Sequence, residues 1–230
     1  MPKQAAEIIK RLRSMGTKKR IKATRRFGIQ HKHILGVSAP KLRKLAKEIG
    51  KDQELSIELW NSGIYEAMIL ASLVGEPSKV TERQMGRWVN DIGDWAVCDS
   101  ACGNLFDKTK FAYWKAIEWS SSKKEFVKRA GFVLMAELAV HDKAEPNNTF
   151  LKFLPIIKRE ACDERNFVWK AVNWSLREIG KRNLALNKAA IKAAMEIHDI
   201  DCKGARYISS GALRELRSDA VQRRLSNGTR

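Results

Sequence analysis

Long hydrophobic runs are missing from this chain. The longest, Ala67 to Val74, falls far short of the roughly 20 residues that span a bilayer. The first residues, Met-Pro-Lys-Gln-Ala-Ala-Glu, lack the apolar stretch of a secretory signal. These two absences predict a soluble, intracellular protein, cytoplasmic if bacterial, with no membrane partner. Proline and glycine are scarce, at 5 and 14 of 230 residues. That disfavours turn-rich sandwiches and barrels, and collagen-like or low-complexity architecture. The four cysteines, Cys98, Cys102, Cys162 and Cys202, contain no CxxC pair, and are expected as buried free thiols in a reducing compartment. His31 and His33 flank a lysine in a basic loop, and no HExxH or Cys/His metal spacing occurs. No glycine-rich phosphate loop and no GxSxG turn is found either. No metal and no cofactor is therefore expected.

Positive charge is present in excess. Lys and Arg number 44 against 26 Asp and Glu, a net charge of +18. Such an excess repels itself in the compact state, and a polyanion relieves it. Nucleic acid is the leading partner, with an acidic membrane surface or an acidic protein as alternatives. From Lys10 to Arg26 there are nine basic residues and no acid. This is either a solvated basic helix and loop or a clamp on phosphates.

Apolar periodicity predicts helices along the whole length and no alternating strand. The expected helices cover Ala5–Met15, Lys41–Ile49, Ser56–Trp60, Tyr65–Val74, Thr81–Ile92, Trp95–Phe106, Phe111–Trp119, Glu125–Val140, Phe150–Lys158, Asn166–Lys181, Asn187–Glu196 and Ala205–Arg217. Ser38 and Asp94 are expected as N-caps, with Pro40 tolerated in a first turn. Pro146-Asn147-Asn148 reads as a loop. Weak echoes recur: Leu176-Arg177-Glu178 returns as Leu213-Arg214-Glu215, 37 residues on, and Lys128-Arg129-Ala130 resembles Trp169-Lys170-Ala171, 41 residues on. A period near 40 fits HEAT-type helix pairs. The fold class is thus all-α, a HEAT-like helical-repeat solenoid (an α-α superhelix) with a concave basic groove, formed by residues 1–230 as a single repeat domain.

Two helix faces do not read as core. In the segment from Asn166, Val168, Val172, Leu176 and Ile179 form the inward stripe, whereas Phe167, Lys170, Trp174 and Arg177 share another. Aromatics interleaved with cations suit sugars, bases and phosphates, and packing on a neighbouring helix is the plain alternative. Trp95 and Asp99, four apart, lie opposite Val97, Ala101 and Leu105. A carboxylate beside an indole in so basic a protein weakens simple phosphate binding. Either it pairs with an arginine such as Arg129, or its charge serves a reaction in which positive charge develops.

At these residues the chain resembles the AlkD family of DNA alkylation-repair glycosylases over nearly its whole length. The resemblance rests on Leu35-Gly36 and Pro40, on Trp95-xxx-Asp99, on Arg129-Ala130, and on Phe167-xx-Lys-Ala-xx-Trp-x-Leu-Arg-Glu. It implies a solenoid whose concave face holds double-stranded DNA, including alkylated or lesion-bearing DNA. It implies removal of cationic N3- or N7-alkylated purines, with backbone engagement at the lesion instead of base flipping. The chain is expected to act as a monomer. By analogy Asp99 is the catalytic carboxylate, Trp95 and Trp174 pack on the deoxyribose, and Arg129 lies near the lesion. Lys170, Phe167 and Arg177 are supporting DNA-binding residues. The sequence departs from the best-studied members at Asp94 and Ala96, where those carry a further Trp and Asp. A non-catalytic binder of damaged or branched DNA is the alternative, and a protein-binding helical scaffold a third.

Overall fold

The computed structural model describes residues 3–227, and these contain α-helices and short 3-10 turns but no strand. Helices start where a side chain can satisfy free backbone N–H groups. Thr17 caps α2 (Lys18–Arg26), Asp52 caps α4 (Gln53–Asn61), Thr81 caps α6 (Glu82–Asp91) and Asp94 caps α7 (Trp95–Asn104). Ser38 does occupy the N-cap position of α3 (Ala39–Ile49), with Pro40 in its first turn, but its hydroxyl makes no capping bond. No helix among the described residues is long and apolar enough to cross a membrane.

The chain divides into two compact units, one ending at Lys110 and one beginning at Phe111. In the first, α1 (Lys3–Met15) packs on α4 and α5 (Tyr65–Val74), and α5 also packs on α3, α4 and α7. Its core holds Trp60 and Trp88, whose rings stack 3.9 Å apart and nearly parallel. In the second, α9 (Glu125–His141) is the central helix. It lies against α8 (Ala112–Ser120) and α12 (Asn166–Gly180). Next, α12 packs on α13 (Leu184–His198) and α14 (Lys203–Leu216), which pack on each other. Gly131 lets α9 approach α8 closely, because a Cβ there would stand 2.6 Å from the Ser120 nitrogen.

Two expectations are corrected and one helix is added. Asn147 is not in a loop: it opens α10 (Asn147–Leu151), which Pro146 precedes as N-cap. The single helix expected from Phe150 is interrupted at Lys152 and continues as α11 (Phe153–Arg159). A further helix, α15 (Asp219–Ser226), follows Ser218, whose hydroxyl caps it. The cysteines are corrected in part. Cys98 and Cys102 are buried thiols, as expected, but Cys162 and Cys202 form a disulfide, joining segments 40 residues apart.

Candidate functional site

In the first unit the candidate residues stand on α7. Asp94 is only 3% exposed, and one carboxylate oxygen accepts from the N–H groups of Ala96 and Val97, both at 2.9 Å. This sets the helix start at Trp95. Val97, Cys98, Ala101 and Cys102 fill the core side. Trp95 and Asp99 come out half-exposed on the other side, as an i, i+4 pair must. The Trp95 indole N–H donates to the Phe27 carbonyl at 3.0 Å. Phe27 directly follows α2, so this bond joins the basic segment to α7.

That basic segment is docked by a device the sequence reading missed. Glu66 on α5 is fully buried, and its carboxylate accepts from Leu35 N–H (2.8 Å), Gly36 N–H (2.6 Å) and Val37 N–H (3.2 Å). Gly36 has φ +83°, and a Cβ there would lie 2.3 Å from the Thr17 carbonyl oxygen. In return, Thr17 N–H donates to the Gly36 carbonyl at 3.1 Å. The Leu35-Gly36 motif is thus the seat on which the α1–α2 junction rests. A carboxylate at the edge of the most apolar stretch hints that Glu66 is buried but does not name its partners. All nine basic residues from Lys10 to Arg26 are exposed. Arg11 pairs with Glu48 at 2.5 Å, and the other eight form no ion pair among the described residues.

In the second unit the inward stripe of α12 is fully buried at Val168, Val172, Leu176 and Ile179. The remaining face is partly tied down. Phe167 is half-buried, with its ring 5.5 Å from that of Phe126 on α9. Arg129 on α9 is 6% exposed and donates to the Phe167 carbonyl at 2.6 Å, which fastens the two helices together. Lys170 is exposed. Trp174 is half-buried, and its indole N–H donates to Glu178 at 3.1 Å. Arg177 pairs with Glu215 on α14, and Lys181 reaches both Glu178 (2.7 Å) and Glu215 (2.8 Å). The Leu-Arg-Glu echo therefore has a physical content: the arginine of one copy meets the glutamate of the next. Burial would raise the Glu215 carboxyl, but hydrogen bonds from Lys181 and Arg177 outweigh it and hold the group below its usual value.

The turn entering α12 is also held by charge. Lys128 is 9% exposed and pairs with Glu160 (2.6 Å) and Asp163 (3.0 Å). Burial opposes ionisation of Asp163, yet hydrogen bonds from Arg165 and Lys128 bring its carboxyl down to about 2. Trp95 and Asp99 thus share one helix face in the first unit. Arg129, Phe167, Lys170, Trp174 and Arg177 lie on two adjoining helices of the second.

A sequence model described as DNA alkylation repair enzyme matches residues 8–215. The chain belongs to that family. The fold agrees with one solved structure in particular, described as a new family of proteins related to the HEAT-like repeat DNA glycosylases with affinity for branched DNA structures. The two share 21% identity and a TM-score of 0.78, over 97% of this chain and 94% of the other. A designed armadillo repeat protein in complex with the peptide (KR)4 is less similar, at 16% identity and TM-score 0.40 over 81% of this chain and 79% of that one. No curated protein matches the sequence. The fold shared with the first of these is a HEAT-like helical repeat, and DNA is the substrate on which the DNA alkylation repair family acts.

Proposed function

We propose that this family member is a monofunctional DNA glycosylase for cationic N3- and N7-alkylated purines in duplex DNA. The observation that carries this reading is the α7 face, where Asp99 is half-exposed beside a Trp95 whose indole N–H is already engaged. An acid sequestered in the core would have no access to a sugar, and the partial exposure of Asp99 supports the reading on that count. N-alkylation makes the purine a neutral leaving group, so C1′–N bond cleavage leaves positive charge on the deoxyribose. The Asp99 carboxylate stabilises that charge and orients the attacking water. The face of Trp95 attracts the cationic sugar by about 0.5–2 kcal/mol, and Trp174 has a sugar-packing role by family resemblance alone. Arg129, Lys170, Phe167 and Arg177 position the backbone, with Arg129 acting chiefly by fixing α9 to α12. No lysine amine enters the reaction, so the strand is not nicked by a lyase step.

Two observations favour a second reading, a non-catalytic binder of branched or damaged DNA. Asp94 is committed to capping α7, and the solved relative is described by its affinity for branched DNA. One experiment separates the two. Methylated duplex is incubated with the protein and released bases are measured by mass spectrometry. Release of 7-methylguanine is expected, with Asp99→Asn slowing it by roughly 100-fold or more while DNA binding persists. Equal release by the variant removes Asp99 from the chemistry, and no release from any methylated duplex selects the binder.

A further inference from the structure

Outside the face assigned above, the second unit carries an aromatic pair that core packing does not explain. Trp169 on α12 and Tyr207 on α14 stack with ring centroids 5.4 Å apart and planes 20° from parallel. Neither is buried, and Tyr207 is 44% exposed. Lys203 sets its ammonium 5.3 Å from the Trp169 ring centroid, Lys170 stands exposed on the next residue, and Arg206 is exposed while paired with Asp201. The pair is held in place from both sides. Trp169 donates its indole N–H to Asn166 at 3.0 Å. The first turn of α14 is fixed by the Cys162–Cys202 disulfide, and by Gly204, where a Cβ would lie 2.3 Å from the Ala161 carbonyl oxygen.

We infer that Trp169 and Tyr207 form a stacking platform for an unpaired base of a DNA strand, with Lys203 and Lys170 meeting its phosphates. The inference rests on the reading of this protein as DNA-binding. A rigid π-surface flanked by ammonium groups matches a flat base attached to an anionic backbone. A duplex interior keeps its bases stacked on each other, so the platform suits a strand end, a gap or a branch point. The net charge of +18 suits the same polyanion.

The test compares a blunt duplex with the same duplex bearing a single-stranded arm, by fluorescence anisotropy, with 2-aminopurine at the first unpaired position. The full chain is expected to bind the armed duplex more tightly and to quench the 2-aminopurine. Tyr207→Ala and Trp169→Ala are expected to lose roughly tenfold on the armed duplex and little on the blunt one. Tyr207→Phe, which keeps the ring, should behave as the unaltered chain, and unchanged circular dichroism certifies the fold of each variant. Retained arm preference and quenching in the alanine variants would overturn the platform, as would a Tyr207→Phe as weak as Tyr207→Ala. If the unaltered chain binds the blunt duplex but gains nothing from the arm, the platform fails and the DNA reading stands. If it binds neither DNA, both fail together.

Discussion

Glu66 shows how much one side chain can organise. Its two oxygens serve three backbone N–H groups of a loop about 30 residues earlier in the chain. Glu66→Ala would leave those donors inside the protein without partners, at about 1–3 kcal/mol each. The expected loss is about 3 kcal/mol or more, read from urea denaturation midpoints; a shift below about 1 kcal/mol would mean that water or another group takes over. Nothing in the sequence ties residue 66 to residues 35–37, since hydrogen bonding to backbone N–H groups leaves no side-chain pattern. Asp94 was legible for the opposite reason. Its cap acts two and three residues ahead, within a single helical turn. Trp95 and Asp99 were likewise legible as a pair, because an i, i+4 spacing is fixed by helix geometry alone.

Helices were the most readable level, because a 3.6-residue apolar period survives any tertiary setting. Those missed or misjudged include α10, α11 and α15, which are short, and a stretch of one or two turns carries too few apolar positions to show a period. Packing between helices was hidden except where glycine marks it, and glycine marks it ambiguously. Gly131 and Gly86 both lie inside helices. At Gly131 a Cβ would collide with the α8 backbone, whereas at Gly86 nothing stands within 4 Å. Gly131→Ala is expected to destabilise by about 1–3 kcal/mol through overpacking. Gly86→Ala is expected to stabilise by about 0.5–1 kcal/mol by restricting the unfolded chain. Opposite signs in chemical denaturation are the outcome expected; two changes of the same sign would contradict the assigned helix contact.

Across the whole molecule, net charge pointed to nucleic acid and the repeat period to HEAT-type helix pairs, whereas the family resemblance rested on residue motifs such as Trp95-xxx-Asp99 and the segment from Phe167 to Glu178. The Cys162–Cys202 bond escaped, because a pairing across 40 residues depends on where two helix ends meet and not on cysteine spacing. The exposed cations of α1 and α2 give the charge excess a location. Affinity for duplex DNA should therefore fall linearly on a log–log plot against salt, by about 0.9 for each phosphate neutralised. Replacing Arg25 and Arg26 together by Ala should flatten that slope by roughly two. A slope that the double replacement leaves alone would move the phosphate contact elsewhere.

The bond from Trp95 to the Phe27 carbonyl has one more effect. An indole free to swing would surrender its rotational freedom on meeting a sugar, a loss of about 0.5–1.5 kcal/mol for an immobilised side chain. Here the ring is already stilled by the turn behind the arginine-rich helix. In the proposed reaction the ring is therefore a standing wall and not a gate, and the turn that holds it directly follows the cations of α2.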